Sequence, residues 1–411
     1  MLSPADKNFS FSHLAAFVTV LEHGRISRAS AQLRRSPSAV SRSIGILEEK
    51  LGRPLLERSH GGVSPTAEGM IVAERCRLIQ WELLRLRDHL VQVKGGQVRP
   101  NASAFQMHID VSRLRALITV HDFGSVQRAS QLLAVSQPAV SASIRHLEAD
   151  LGVELFSRSP TGMIATPAGV SSTFCFKRVL SELRKMKDDV DSLGGASSGL
   201  VCVGGLAYAR SALLPDTIRQ VLSSYPQITV RTVEGPIAAL LAAMHAGDID
   251  ALICAHPNPA LLEGVTVEPI ARDRMGLFVA ESHPLAGRRA LSAREVIDFP
   301  FILPPLGTVT RDLLDVLFID AVGRPPQGSV ETSSYSIITD LLLKSEQICF
   351  RSTTEFAAVA RSGQILALDL DFALPERSIC LLQRRGAKQT AAARDVLDIV
   401  RHTAASQSVG R

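Results

Sequence analysis

Ser38, Ser41 and Arg42 stand at helical spacing, and Gln137, Pro138, Ser141 and Arg145 hold comparable places one hundred residues further on. Hydroxyls, a carboxamide and guanidinium groups on one helical face form hydrogen bonds; they do not make a nucleophile–base pair. Groups of this kind read base edges in a DNA major groove, where arginine grips guanine and short polar side chains fit close to the bases. Arg58 and Arg158, each followed by serine, suit phosphate. The rival readings are structural: a surface pairing of Arg145 with Glu148, and internal salt bridges for Arg58 and Arg158. Catalysis has no comparable support. The chain carries no P-loop, no GxSxG elbow and no His/Cys/Asp ligand cluster, and Gly204-Gly205 alone is not a nucleotide fingerprint. Neither a metal nor a cofactor is expected.

These residues sit in two related segments, "SPSAVSRSIGILEEKLG" from Ser36 and "SQPAVSASIRHLEADLG" from Ser136. Leu14–Gly69 lies on Leu114–Gly169 without a gap, sharing Gly24/Gly124, Leu47-Glu48/Leu147-Glu148 and Arg58-Ser59/Arg158-Ser159. Two copies at so long a period make a duplicated small domain, not a solenoid. In the first copy Leu14, Phe17, Val18 and Leu21 recur at helical spacing, and Gly24 ends that helix. A second helix is expected at about 27–33. Ser36 then caps a third, with Pro37 at its first position, where a missing N–H costs nothing. Val40, Ile44 and Leu47 face inward, and Ser38, Ser41, Arg42 and Gly45 outward. "RPLLERSHGGVSPT" reads as a hairpin with its tip at His60-Gly61-Gly62, matched by "VELFSRSPTGMIAT". Three helices and a hairpin form a winged helix–turn–helix; the alternative is a helical dimerisation domain with a solvated third helix.

Charge agrees with a polyanion at the N-terminal end. Residues 1–100 hold 15 Lys+Arg against 9 Asp+Glu, residues 101–200 hold 10 against 9, and the remainder 20 against 22. The six scattered cysteines offer no zinc or disulfide spacing and suit the reduced cytosol. The N-terminus, MLSPADKNFSFSH, lacks the features of a secretory leader, and no apolar run approaches the roughly 20 residues that cross a bilayer.

A long amphipathic helix follows each hairpin, at about 66–93 and 166–193, and each needs a partner helix. The connector between them, Lys94 to Ile109, is pliable and non-helical by composition and long enough to return the chain for intrachain pairing. After the hinge Gly194–Gly199 the texture becomes βαβ, implying a mainly parallel sheet. Two lobes, with crossings near residues 272 and 352, would enclose a cleft for a small molecule.

"RASQLLAVSQPAVSASIRHLEADLGVELFSRS", "LLPDTIRQVLSSYPQITVRTVEG", "LLAAMHAGDIDALIC" and "LPPLGTVTRDLLD" together resemble the LysR-type transcriptional regulators over nearly the whole chain. That family is built from one winged helix–turn–helix, a dimerising linker helix and a two-lobed effector domain similar to periplasmic binding proteins; this chain departs from it in having two heads. The resemblance implies a multidomain chain: a first head with its helix at 1–95, a connector at 96–109, a second head at 110–195 and an effector domain at 199–405. Lobe I would span 199–271 and 353–405, and lobe II 272–352. It implies a cytoplasmic, homo-oligomeric regulator, a dimer or tetramer, binding double-stranded DNA and a small organic anion, with RNA polymerase open as a further partner. Its effector contacts would fall at Ala207, Tyr208, Ala209, Thr308, Thr310, Ser333 and Ser334; His256 also faces the expected cleft. The second head matches the family pattern better, whereas the first is more basic. Either the first grips phosphate while the second reads bases, or the first serves as a dimerisation spacer. An architectural DNA-binding protein is the competing function, and an enzyme on a binding-protein fold a more distant one.

Overall fold

The first helix, α1 (Phe11–His23), stops where Gly24 turns left-handed (φ 65°), a conformation that costs glycine nothing. α2 (Ile26–Gln32) and α3 (Pro37–Leu51) follow; the Ser36 hydroxyl accepts from the Ala39 N–H at 3.2 Å and fixes the start of α3. Leu14, Phe17 and Val20 of α1 are buried with Val40, Ile44 and Leu47 of α3. An antiparallel hairpin, β1 (Leu56–Ser59) and β2 (Gly62–Pro65), leads into the long α4 (Ala67–Lys94). The computed structural model describes residues 9–59, 62–94, 98–160, 162–195 and 197–409, so the hairpin tip at His60-Gly61 lies outside the described residues.

The second copy repeats the order: α5 (Val111–Phe123), α6 (Val126–Leu133), α7 (Gln137–Leu151), β3 (Phe156–Ser159), β4 (Gly162–Ala165) and α8 (Pro167–Ser192). Two local devices recur. Glu48 Oε1 accepts from the Leu55 and Leu56 N–H groups at 2.8 and 3.3 Å, and Glu148 Oε1 from Leu155 and Phe156 at 2.9 and 3.3 Å, tying each third helix to its hairpin. At Gly69 and Gly169 a Cβ would come within 2.1 and 1.9 Å of the Leu55 and Leu155 carbonyl oxygens. Glycine at these places lets each long helix start directly against the strand approach.

The two copies share one hydrophobic core running from Phe9 to Val190. Its spine is a seam of α4 against α8, with Ile79, Leu83, Leu86 and Leu90 on one side and Phe176, Val179, Leu183, Met186 and Val190 on the other. Cross-links at Arg75–Asp189, Glu82–Arg178 and His89–Ser171 show that the helices run antiparallel. The connector departs from the pliable tether expected from its composition. Ser103–Gln106 forms a 3₁₀ turn, and Ala104, Phe105 and Met107 are buried in the shared core. Asp150 holds the turn by accepting from the Ser103 N–H and hydroxyl and the Ala104 N–H at 2.8–3.0 Å.

A second compact unit begins at Leu200. Its elements are β5 (Gly199–Gly205), α9 (Leu214–Ser224), β6 (Ile228–Val233), α10 (Ile237–His245), β7 (Ala251–Ala255), β8 (Val265–Ala280), α11 (Ala293–Ile297) and β9 (Phe301–Leu303). They continue through α12 (Val309–Val322), β10 (Val330–Glu331), α13 (Tyr335–Lys344), β11 (Ile348–Ser352), α14 (Thr353–Ala360), β12 (Ile365–Ala367), β13 (Glu376–Arg384) and α15 (Ala391–Val409). The strand order is β10-β9-β11-β8-β13-β7-β5-β6, with β12 also on β8. The sheet is mixed, which corrects the mainly parallel reading. β5–β7, β9–β11 and β9–β10 are parallel, but β13 runs antiparallel to both β7 and β8, and β8 antiparallel to β11.

One strand, β8, serves both halves: Val265 to Arg274 pair with β13, and Met275 to Phe278 with β11. β8 therefore changes partner between Arg274 and Met275. The return is later than residue 352. Ile365 pairs with Ala280, the Leu368 N–H donates to the Leu277 carbonyl, and Leu368 lies in the core of Leu277 and Phe301. Residues 353–374 thus belong with the second half, because β12 completes the edge of β8 before the chain turns into β13.

Candidate nucleic-acid interface

In the second head Gln137, Pro138 and Arg145 are exposed along α7, and Ser141 is half-buried among them. The Ser136 hydroxyl accepts from Ala139 N–H, leaving the Gln137 side chain at the helix start open to solvent. Arg145 makes no ion pair among the described residues, and Glu148 is taken up by the hairpin N–H groups, which disposes of the surface-pair reading. Arg158 is exposed on β3 and lines an open depression of about 310 Å³ with Gly124, Ser125, Val126, Ser159, Gly162 and Met163. Ser125 caps α6 there, so a guanidinium and helix-start N–H groups share one concavity, a combination that suits a phosphate.

The first head is built differently on the same frame. Ser38 and Arg42 are exposed and Ser41 is half-buried, but the Ser38 hydroxyl already shares a 3.0 Å hydrogen bond with Ser36. Gly45, with nothing within 4 Å of where a Cβ would be, occupies the place that Arg145 holds in the second copy. Arg35 donates to the Ser43 hydroxyl at 2.8 Å, so this arginine is engaged along α3. The backbone of Arg58 pairs with Val63 in the hairpin; its side chain lies outside the described residues.

In the second unit, Thr308 caps α12, accepting from the Arg311 N–H and donating to the Pro305 carbonyl at 2.7 Å. Ser334 precedes α13 and shares a hydrogen bond with Ser336. Ala207, Tyr208 and Ala209 follow β5 as expected, but Tyr208 and Ala209 are buried and only Ala207 is half-exposed. His256 is exposed, and its Nδ1 lies 3.0 Å from the Pro257 carbonyl. Thr310 and Ser333 are linked through groups that sequence reasoning missed. Arg377 donates to Thr310 Oγ1 at 2.7 Å and pairs with buried Asp273 at 2.8 Å; Asp273 accepts from the Ser352 hydroxyl at 2.6 Å. Ser352 accepts from the Glu355 N–H, Glu355 pairs with Arg351 at 2.9 Å, and Arg351 reaches the Ser333 carbonyl at 3.4 Å. This network sits where β8 passes from one set of strands to the other.

Residues 11–70 and 111–170 each match the family model described as bacterial regulatory helix-turn-helix protein, lysR family. Residues 194–405, more than half of the chain, match the LysR substrate binding domain. The chain belongs to the LysR family. It is a DNA-binding transcriptional regulator with an effector-binding domain, and not an enzyme.

Among its LysR-family relatives, the HTH-type transcriptional regulator GalR of Pseudomonas putida KT2440 is 30% identical over 393 residues, covering 96% of this chain and 97% of GalR. Alignment over that share takes in both helical copies. The uncharacterised regulator YdcI of Escherichia coli K12 is 27% identical over 266 residues, 65% of this chain and 86% of YdcI. Among solved structures, CbnR (20% identity, TM-score 0.53, 72% of this chain and 99% of that one) has a similar fold. A full-length OxyR variant of Pseudomonas aeruginosa does too (21%, 0.53, 72% and 95%).

Other groups missed in the sequence lie on the helix seam. Arg75, wholly buried, pairs with Glu182 and with Asp189 at 2.7 Å, and buried Glu82 pairs with Arg178 at 2.7 Å. Their signal was available: charged residues interrupt the apolar stripes Val72–Ile79 and Val179–Leu183 of helices long enough to need partners. The six cysteines are buried and are not joined in disulfides. Burial pushes the Cys76, Cys175 and Cys254 thiols up to about 12 and raises Cys349 and Cys380, which disfavours the thiolate needed for peroxide or metal chemistry.

Proposed function

We propose that this regulator carries two non-equivalent winged helix–turn–helix readers per chain, held as a fixed pair, and so recognises an asymmetric DNA site under the control of a small organic anion. The single observation that carries the reading is the α4–α8 seam. It joins the copies antiparallel within one polypeptide, through a shared core and the buried Arg75–Glu182–Asp189 cluster. Joined in this way the heads cannot be exchanged independently, and their third helices present different groups. The second offers Gln137, Pro138, Ser141 and Arg145 for base edges, with Arg158 for phosphate. The first offers Ser38, Ser41, Arg42 and Arg58 with glycine at the reading face, which suits a backbone-gripping role.

The organic anion would bind near Ala207, Tyr208, Ala209, Thr308, Thr310, Ser333 and Ser334, where the starts of α12 and α13 supply N–H donors. Closure on it would bear on Asp273 and Arg377 at the strand crossing, a direct path from ligand to domain geometry. The test is footprinting on a natural operator and on two synthetic palindromes, each built from one half of it. Tightest binding to the natural, asymmetric arrangement is expected. Equal binding to either palindrome would overturn the non-equivalence of the readers.

A further inference from the structure

The seam of α4 and α8 is close to symmetric under exchange of the two copies. Positions 75, 82 and 89 of α4 correspond to 175, 182 and 189 of α8. Arg75 reaches Glu182, and the exchanged contact is present too: the Cys175 thiol donates to the Glu82 carbonyl at 3.4 Å. Glutamate stands at both central positions. Around it the symmetry breaks at Arg75/Cys175, Leu78/Arg178 and His89/Asp189. Asp189, with its side chain 11% exposed, takes two hydrogen bonds from Arg75 on one carboxylate oxygen, at 2.9 and 2.7 Å. The same guanidinium serves Glu182, whereas Glu82 pairs with Arg178 at 2.7 Å.

These contacts separate the observed pairing from the two that would arise if two chains regrouped their helices, α4 with α4 and α8 with α8. In the same register, Arg75 of one α4 would meet Glu82 of the other, and Arg178 of one α8 would meet Glu182 of the other. The glutamates are therefore matched in every arrangement, and they discriminate nothing. Asp189 does. In a pair of α8 helices it would face Cys175, a thiol whose pKa burial pushes up to about 12 and which carries no charge to offer. In a pair of α4 helices Arg75 would face His89 where a carboxylate now stands. A buried charge stripped of its partner is strongly unfavourable, and each lost pair should shift the balance by about tenfold or more.

We propose that the Arg75–Asp189 pair selects the partner at this seam, making α4 and α8 fit each other better than either fits a second copy of itself. The inference rests on the fixed-pair reading above and adds which residues choose the partner. It follows that two chains do not regroup to place two first heads, or two second heads, on one seam. Every seam then carries one reader of each kind.

The experiment uses full chains carrying I71C/H89C, unfolded in urea, refolded at high chain concentration and treated with a short bismaleimide. His89 meets Ser171 in the seam, and Ile71 holds the equivalent place on α4. Residues 71 and 89 of one helix are about 27 Å apart, so only an α4 pair from two chains brings them together. The wild-type network should give chains of unit mass. D189N should raise the covalent dimer fraction about tenfold, and C175R/R178L/D189H, which gives α8 the charges of α4, should raise it further. H89C/S171C in the same backgrounds reports the seam itself, and its failure in the wild-type background would sink the fixed-pair reading. If that crosslink forms within one chain in all three backgrounds while neither variant yields dimer, partner choice does not lie in Asp189 and the proposal falls. Equal dimer from the wild-type network and D189N would overturn it as well.

Discussion

Replacing Arg75 with methionine should destabilise the reading unit by about 3–5 kcal/mol, the usual cost of leaving buried charges without their partner. The structure sets this magnitude. The Arg75 side chain is wholly buried, and its two carboxylate partners, Glu182 and Asp189, are only 4% and 11% exposed. Water cannot take over the lost interactions without opening the seam. Against a stability of about 5–15 kcal/mol for a domain, this is a large fraction. The exposed pair Arg219–Asp216, at 76% and 47%, supplies the control, and its removal should cost no more than about 1 kcal/mol. Urea unfolding of the full chain at one fixed concentration, followed by the single tryptophan on α4, reads the difference. R75M/E182Q/D189N should recover much of the loss, because the cost lies in the unpaired carboxylates and not in the missing methylenes. An R75M protein within about 1 kcal/mol of wild type would refute the reasoning.

Q137A and S141A should each weaken binding to the specific site by about 1–3 kcal/mol per lost base contact while affecting random DNA less; a parallel fall in gel-shift titrations would remove these residues from base reading. G45R should fit without strain, since nothing stands within 4 Å of its Cβ position. It should steepen the slope of log affinity against log salt by about 1 if the first head touches phosphate; an unchanged slope would argue for a spacer. Thr308→Leu and Ser333→Leu should abolish the effector response and spare effector-free DNA binding, and normal induction in both would exclude them from the site. The folded protein should resist N-ethylmaleimide at pH 7 and react only on unfolding, as its buried high-pKa thiols require; rapid labelling read by mass spectrometry would contradict that burial.

The elements were readable wherever a local rule determines them. Ser36 and Ser136 cap helices, Gly24 and Gly124 end them, and the alternation after Gly199 gives β5, α9 and β6 in the expected places. Long-range pairing was not readable. Residues 353–374 sit with the second set of strands because β12 needs the free edge of β8, a preference that no local spacing carries. The connector composition spoke for a flexible tether, yet Phe105 and Met107 anchor it in a core that exists only once α4 and α7 have come together. Gln137, Ser141 and Arg145 could be chosen from helical spacing alone. The Thr310–Arg377–Asp273–Ser352 network could not, because its members come from four separate elements.

That the two copies pair within one chain can be tested at His89 and Ser171, whose side chains meet at 3.0 Å on the exposed side of the seam. Since the native thiols are buried, H89C/S171C treated with a short bismaleimide reports this contact alone. The expected product is a chain of unit mass with residues 89 and 171 joined. A mixture of the two single variants, H89C and S171C, should give no covalent dimer. A covalent dimer joining residue 89 of one chain to residue 171 of another would contradict the account.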